Sequence, residues 1–444
     1  MRPTTVVAAC PVHAHVSPLL PVARALVDAG HRVRFLTAER FRTEVEATGA
    51  ELAPLPPDAG FDERTLDVDH PERAGRTGAA AMRWDLTELF IRRIATQVAA
   101  LDAILDEADG TDGTVGALVF DPLFLGAFAI TTRPPAQRPR TVVVGIFPSA
   151  TPHPGVPPFG PGLTPMPGLG GRVRDALVRA AVERGALRPA QVAAVRAMRD
   201  IGARPPAGFL FGWAASADVT VQLTVPGFEY PRPLLGDTFR LLGPTGVPRP
   251  GSVTVDPATL PGWWSDLDGR TVVHVTQGTV ANDDPAQLLR PTIDALADED
   301  VLVVAATGGA PVENLGPLPA NVRAERMLPY PALLPRTDVM VTNGGYGGVH
   351  WALAHGVPLV VAGATEDKAE VGARVAWSGA GVRLRGNRPT ADRVRDAVRT
   401  VRTDPSYRAS AQRLAEQIAA SPGAAGVVDA VTASGPGSGV GGCR

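Results

Sequence analysis

Short apolar runs alternate with helical spacings from residue 4 onward, and after a Pro- and Gly-rich interval the alternation starts again near residue 271. Residues 4–9 are rich in Thr, Val and Ala and read as a buried strand. Leu19, Leu20, Ala23, Leu26 and Val27 fall at helical spacing, and Gly30 ends that helix. Residues 33–36 give the next strand. Such a β-α-β unit predicts a parallel sheet, because parallel neighbours need a long crossover. Further strands are predicted at 116–120, 141–146 and 219–223, with helices at 91–106 and within 173–198. The second series predicts strands at 271–276, 301–306, 322–326, 339–342 and 358–362. Helices are predicted at 285–297, after Gly345, at 392–401 and at 407–420.

The expected fold class is therefore α/β, with two Rossmann-like domains whose parallel sheets face an interdomain cleft. Ligands in such sheets bind beyond the C-terminal strand ends. The predicted division is an N-terminal domain at 1–238, a linker at 239–255 and a C-terminal domain at 256–403. A C-terminal helix at 404–430 is expected to pack back on the N-terminal domain, and 431–444 is expected to be a disordered tail. The length of 444 residues agrees, being too great for one core.

Composition narrows the partners. A net charge of -2, from 43 basic and 45 acidic side chains, leaves no cationic excess to hold a nucleic acid. Cys10 and Cys443 have neither metal-ligand spacing nor a disulfide framework, so no metal is expected and a cytoplasmic setting is. The start of the chain lacks the apolar run of a signal peptide, and no stretch reaches membrane-spanning length. Integral membrane contact is not expected. The basic residues are Arg throughout except for Lys368.

The chemistry-bearing residues gather at predicted strand ends. Asn343, Gly344, Gly345, Gly347, Gly348 and Val349 lie between a strand and a helix. Glycines let the backbone approach a ligand, and free N–H groups at a helix start attract a diphosphate. The same run also suits a turn that only reverses the chain. Gln277, Gly278 and Thr279 end another strand and could bind phosphate or simply turn. Glu366, Asp367 and Lys368 follow the strand at 358–362. Carboxylates there suit sugar hydroxyls, although a solvated charge cluster or a helix N-cap looks the same.

In the first half, His13 and His15 sit between a strand and a helix, and either is placed to act as a general base or only to help cap the helix. Asp121 follows the strand at 116–120 and is placed to orient such a base, or only to turn the chain before Pro122.

Together these residues resemble the inverting, nucleotide-sugar-dependent glycosyltransferases of the bacterial macrolide and plant natural-product type. Their two-Rossmann architecture is called GT-B. The resemblance spans most of the chain and is most specific from about 271 to 420. It rests on His15-Val16-Ser17-Pro18 and Gly30-His31, on Val119-Phe120-Asp121-Pro122, on residues 343–348, on Gly356-Val357-Pro358 and on Asp367-Lys368. It implies that His15, rather than His13, is the base and that Asp121 is its partner. Residues 343–348 would hold the diphosphate, Asp367 and Lys368 the sugar, and Met327 and Leu328 the nucleotide base.

This chain departs from the family pattern at several positions. Ala14 stands for a Gly, Asn343 for a His, Gly348 for a Thr or Ser, Trp351 for a Glu, Met327 for a Trp and Lys368 for a Gln. The resemblance implies no metal or redox cofactor, only a UDP- or dTDP-linked sugar as co-substrate. The partner would be a small apolar acceptor. The segment 54–84 and the Pro-rich stretch 148–171 would shape its pocket, with His13, Trp84, Phe124, Phe147, Phe159 and Met166 as candidate contacts. The rival readings are a sugar-nucleotide epimerase on the same fold and a non-catalytic auxiliary protein.

Overall fold

The computed structural model describes residues 3–109, 114–248, 251–278 and 284–433. Thr279 and the Gly- and Ser-rich end from 434 lie outside them. Two sheets dominate. The first contains β1 (Thr4–Ala8), β2 (Val33–Thr37), β3 (Glu51–Pro54), β4 (Val115–Phe120), β5 (Arg140–Gly145), β6 (Val219–Gln222) and β7 (Phe239–Leu241), in the order β3-β2-β1-β4-β5-β6-β7. The second contains β8 (Val272–Thr276), β9 (Leu302–Ala306), β10 (Val322–Glu325), β11 (Val339–Thr342), β12 (Leu359–Ala362) and β13 (Gly381–Leu384), in the order β10-β9-β8-β11-β12-β13. Every pairing is parallel.

Strand periodicity builds the cores. Val6 and Ala8 face one side of the first sheet with Leu118 and Phe120, while Val7 and Ala9 face the other with Val119 and Val144. Both faces are covered by helices, so the strands read as continuous apolar runs. Each fully buried Val or Leu contributes about 2 kcal/mol. Val273, Val303 and Val341 take the corresponding place in the second sheet.

In each sheet the order reverses at one point, between β1 and β4 and between β8 and β11. A parallel sheet opens a crevice there, beyond its strand ends. Ala8 pairs with Phe120 and Thr276 with Thr342. The residues that leave these strands therefore emerge side by side.

The structure differs from expectation at the edges. Glu51–Pro54 and Gly381–Leu384 are strands that the periodicity did not predict. Phe239–Leu241, read as the start of the linker, is the last strand of the first sheet. The closing helix is two helices. Pro405–Ala420 packs on Tyr346–Ala354 in the second half, and Ala424–Thr432 packs on Leu20–Asp28 in the first. The last helix also takes in residues 431 and 432, which were read as tail. Between the two, Gly423 adopts a φ of 56° and its N–H donates to the Leu242 carbonyl at 2.6 Å.

Candidate active site

His15 lies in the short helix His13–Val16, on the turn that leaves β1. Its Nδ1 is 3.0 Å from Asp121 Oδ1, at the end of β4. Asp121 is fully buried. Its carboxylate also accepts the Cys10 N–H at 2.6 Å and the Leu123 N–H at 2.8 Å. These backbone donors fix the carboxylate, and the carboxylate fixes the ring. With Nδ1–H donated to Asp121, Nε2 carries the free lone pair. Phe90 stacks on the His15 ring at 6.2 Å and Phe61 meets Phe90 edge-on. His13 is exposed and its ring has no such partner among the described residues; its backbone N–H donates to Glu63 at 2.9 Å.

Cys10 completes this corner. Ligand atoms of Cys10, His15 and Asp121 lie within 4.8 Å of one another, a grouping of potential metal ligands that linear spacing did not reveal. Burial, and then the Asp121 carboxylate, push the Cys10 thiol well above its usual range. The carboxylate is already met by two backbone N–H groups and His15, so the cluster is satisfied as a hydrogen-bonded one.

Across the cleft, Glu366, Asp367 and Lys368 stand where β12 gives way to the helix Lys368–Ser378. Glu366 has a φ of 54°, the one positive value among the described non-glycine residues. Holding it there costs on the order of 1–3 kcal/mol, and strain of this kind gathers at functional sites. Lys368 Nζ donates to Glu366 at 2.5 Å and to Thr365 Oγ1 at 3.3 Å. Glu366 keeps 45% of its side chain exposed; the protein packed round it opposes ionisation, but Lys368, with Arg73 and His15 from the first half, outweighs that and holds the carboxyl below its usual range. Burial, and then the charge of Glu366, push the Asp367 carboxyl up to about 6. The two halves thus bring His15 and the acidic pair into one electrostatic field. Arg73 was not foreseen in it.

The glycine run forms the floor of the second half. Gly344 has a φ of 91°, and a Cβ there would come within 2.8 Å of Val361. Asn343 follows β11. Its Nδ2 donates to the Gln277 carbonyl and its Oδ1 accepts the Gly345 N–H at 3.3 Å. Gly345 caps the helix Tyr346–Ala354 with no side-chain bond, so the first N–H groups of that helix lack an internal acceptor. Among the described residues, a Cβ on Gly347 would meet no packing neighbour within 4 Å. Protein packing does not require glycine at that exposed position.

Other candidates are placed differently. Gln277 is buried, and its side chain is spent on the Asp284 carbonyl and the Leu288 and Leu289 N–H groups. Gly278 has a φ of 76° and faces Asn343. Phe124 and Val349 are fully buried core residues and present no side-chain surface to a ligand. Trp84 is buried against His70, and Leu328 is also buried. Phe147 and Phe159 are half-buried and face each other at 6.2 Å, with Phe211 beyond. Met166 and Met327 are exposed. Trp351 lies parallel to His355 and edge-on to Tyr330.

A family model described as "Erythromycin biosynthesis protein CIII-like, C-terminal domain" matches residues 290–433. The 4'-demethylrebeccamycin synthase of Lentzea aerocolonigenes is 43% identical over 97% of this chain and 98% of its own. UDP-glycosyltransferase 2 of Phaeomoniella chlamydospora is 32% identical over 94% of this chain and 92% of its own. Among solved structures, the calicheamicin glycosyltransferase CalG4 superposes with a TM-score of 0.67 at 24% identity, covering 97% of this chain and 98% of that one. The glycosyltransferase VinC in complex with dTDP does so with a TM-score of 0.62 at 21% identity, over 96% and 98% of the two chains.

Proposed function

The chain belongs to the natural-product glycosyltransferases of GT-B architecture, and on that basis we propose inverting sugar transfer from a nucleoside diphosphate to a small apolar acceptor. The observation that carries this reading is the His15–Asp121 pair, 3.0 Å apart and opposite Glu366 and Asp367. His15 Nε2 takes the proton of the acceptor hydroxyl. An electron pair of the acceptor oxygen forms the bond to the anomeric carbon, on the face opposite the diphosphate. The bond from that carbon to the diphosphate oxygen breaks, and the nucleotide leaves with the pair. Asp121 stabilises the imidazolium that forms.

The leaving charge meets the open N–H groups of Tyr346, Gly347 and Gly348 at the helix start, with Asn343 beside them. Lys368 adds a cation, and Glu366 and Asp367 accept from sugar hydroxyls. This displacement is read as independent of metal and redox cofactors, in keeping with the resemblance. Relatives named for UDP sugars and a neighbour holding dTDP support either nucleotide. Phe61, Phe90, Phe147 and Phe159 supply the aromatic lining for an apolar acceptor. The setting proposed is cytoplasmic. Among the described residues no helix is long and apolar enough to cross a membrane.

The test is a donor screen. UDP-glucose and dTDP-glucose are offered with phenolic acceptors, quercetin among them, and products are read by mass. A sugar adduct made by the wild type and lost in His15→Ala supports the reading. Nucleotide binding with no adduct, or an altered free sugar nucleotide, would move the assignment to the auxiliary or the epimerase reading.

A further inference from the structure

The irregular stretch between β5 and the helix Gly168–Ala180 is tied to the second half of the molecule at two places. Gly160 and Gly162 both donate their N–H to Glu370 Oε1, at 2.9 and 2.8 Å, and Arg383 donates to the Gly162 carbonyl. Glu370 Oε2 accepts from Arg374 at 3.0 Å, and Arg374 donates to Glu229 at 2.7 Å. Glu229 in turn accepts the Ser149 N–H at 3.0 Å and Arg232 at 2.9 Å. The ionic side chains of this chain of contacts are buried, at 3% exposure for Glu370, 1% for Arg374 and 0% for Glu229.

Two features tie this cluster to catalysis. Glu370 belongs to the first turn of the helix that opens with Lys368, directly after Glu366 and Asp367. Phe159 precedes Gly160, and its ring packs between Phe147 and Phe211. Gly162 fits only as glycine. It has a φ of 62°, and a Cβ there would lie 2.3 Å from the Ala369 carbonyl oxygen.

We propose that Glu370 is a positioning residue for the acceptor: through the Gly160 and Gly162 N–H groups it holds Phe159 in register with the donor-side helix. The sugar-contacting residues and the acceptor wall then share one rigid element, so an acceptor is presented at a fixed distance from the anomeric carbon. Misplacement by an ångström at such a junction costs about a hundredfold in rate. This inference rests on reading the stretch 148–167 as the acceptor side.

The experiment uses the full chain with UDP-glucose and quercetin, and two variants that disturb the contact from opposite sides, Glu370→Gln and Gly162→Ala. Glu370→Gln keeps the volume of the side chain and removes its charge from Arg374. In both, the quercetin KM should rise about tenfold or more, while the donor KM and the slow transfer of sugar to water stay within about twofold. A purely structural role would move donor and acceptor constants together. Amide exchange over residues 157–165 needs no substrate and should quicken about tenfold in both variants.

Unchanged exchange in both variants overturns the latch. Faster exchange with an unchanged quercetin KM, or a parallel loss of both substrates, overturns the positioning role. A wild type that transfers no sugar at all overturns the acceptor reading of this site, and the positioning role with it, while the exchange result still reports whether the latch exists.

Discussion

His15 and Asp121 are separated by 106 residues of chain and by 3.0 Å of space. The sheet closes that gap, because β1 and β4 are neighbours at its reversal point and each delivers one residue past its end. Replacing His15 by Ala removes the lone pair that accepts the proton in the proposed reaction, and kcat should fall by about a thousandfold. Asp121→Asn keeps the shape but not the charge that favours imidazolium, and kcat should fall by about a hundredfold or more with donor KM little changed. Steady-state kinetics with the adduct-forming pair checks both. An Asp121→Asn enzyme with full kcat would remove Asp121 from the mechanism.

Gly347 separates ligand from packing. Among the described residues its added Cβ would meet no packing neighbour within 4 Å, and alanine favours a helix by about 1 kcal/mol over glycine. Gly347→Ala should therefore melt a little higher than wild type, yet raise the donor KM by about tenfold because the methyl occupies phosphate space. Calorimetry and donor titration together decide it. A stable variant with unaltered donor KM would place the diphosphate elsewhere.

Asp367 should impose a pH limb on donor use. Its carboxyl is pushed up to about 6, and only the ionised form offers sugar hydroxyls two charged acceptor oxygens. Donor KM should rise as pH falls through about 6, and Asp367→Asn should flatten that limb. The sign for folding is opposite. A pKa raised in the folded state means the native protein holds this proton more tightly, so its contribution to stability is full below the unfolded value. That contribution is lost as pH rises toward about 6.

Glu229 titrates the other way. Burial opposes its charge, but Arg374 and Arg232 prevail and hold its carboxyl down at about 2. Its stabilisation of the junction is present above the ordinary carboxylate range and disappears as pH falls toward about 2. Acid unfolding followed by tryptophan emission should start at higher pH in Glu229→Gln, since Arg232 then loses its carboxylate partner and Arg374 keeps only Glu370 from the outset.

The alternation of strand and helix was legible because buried parallel strands are rich in Val, Ala and Leu, as in Leu302–Ala306 and Leu359–Ala362. The edge strands were not. Glu51–Pro54 and Gly381–Leu384 carry a charge or a glycine in four residues, and Phe239–Leu241 sits among prolines. At the site, His15, Asp121 and the glycine run could be placed because each follows a strand. Gln277 follows one too, yet its side chain turns inward to cap the next helix, and Phe124 is consumed by the core. Nothing local distinguishes an aromatic that lines a cleft from one that fills a core. The partners of Glu370 and Arg374 lie 210 and 145 residues away, beyond the reach of any periodicity.

The return of the chain at Gly423 has a mechanical consequence. The polypeptide crosses between the halves once after β7 and again at residues 421–423, and the two crossings touch where the Gly423 N–H meets the Leu242 carbonyl. Bodies joined by one strand of polypeptide can swivel in any direction. Bodies joined by two adjacent crossings have fewer directions in which to twist against one another. In the proposed reaction this limits how far His15 can be carried sideways from the residues that follow β12, because twisting out of line would stretch one crossing against the other.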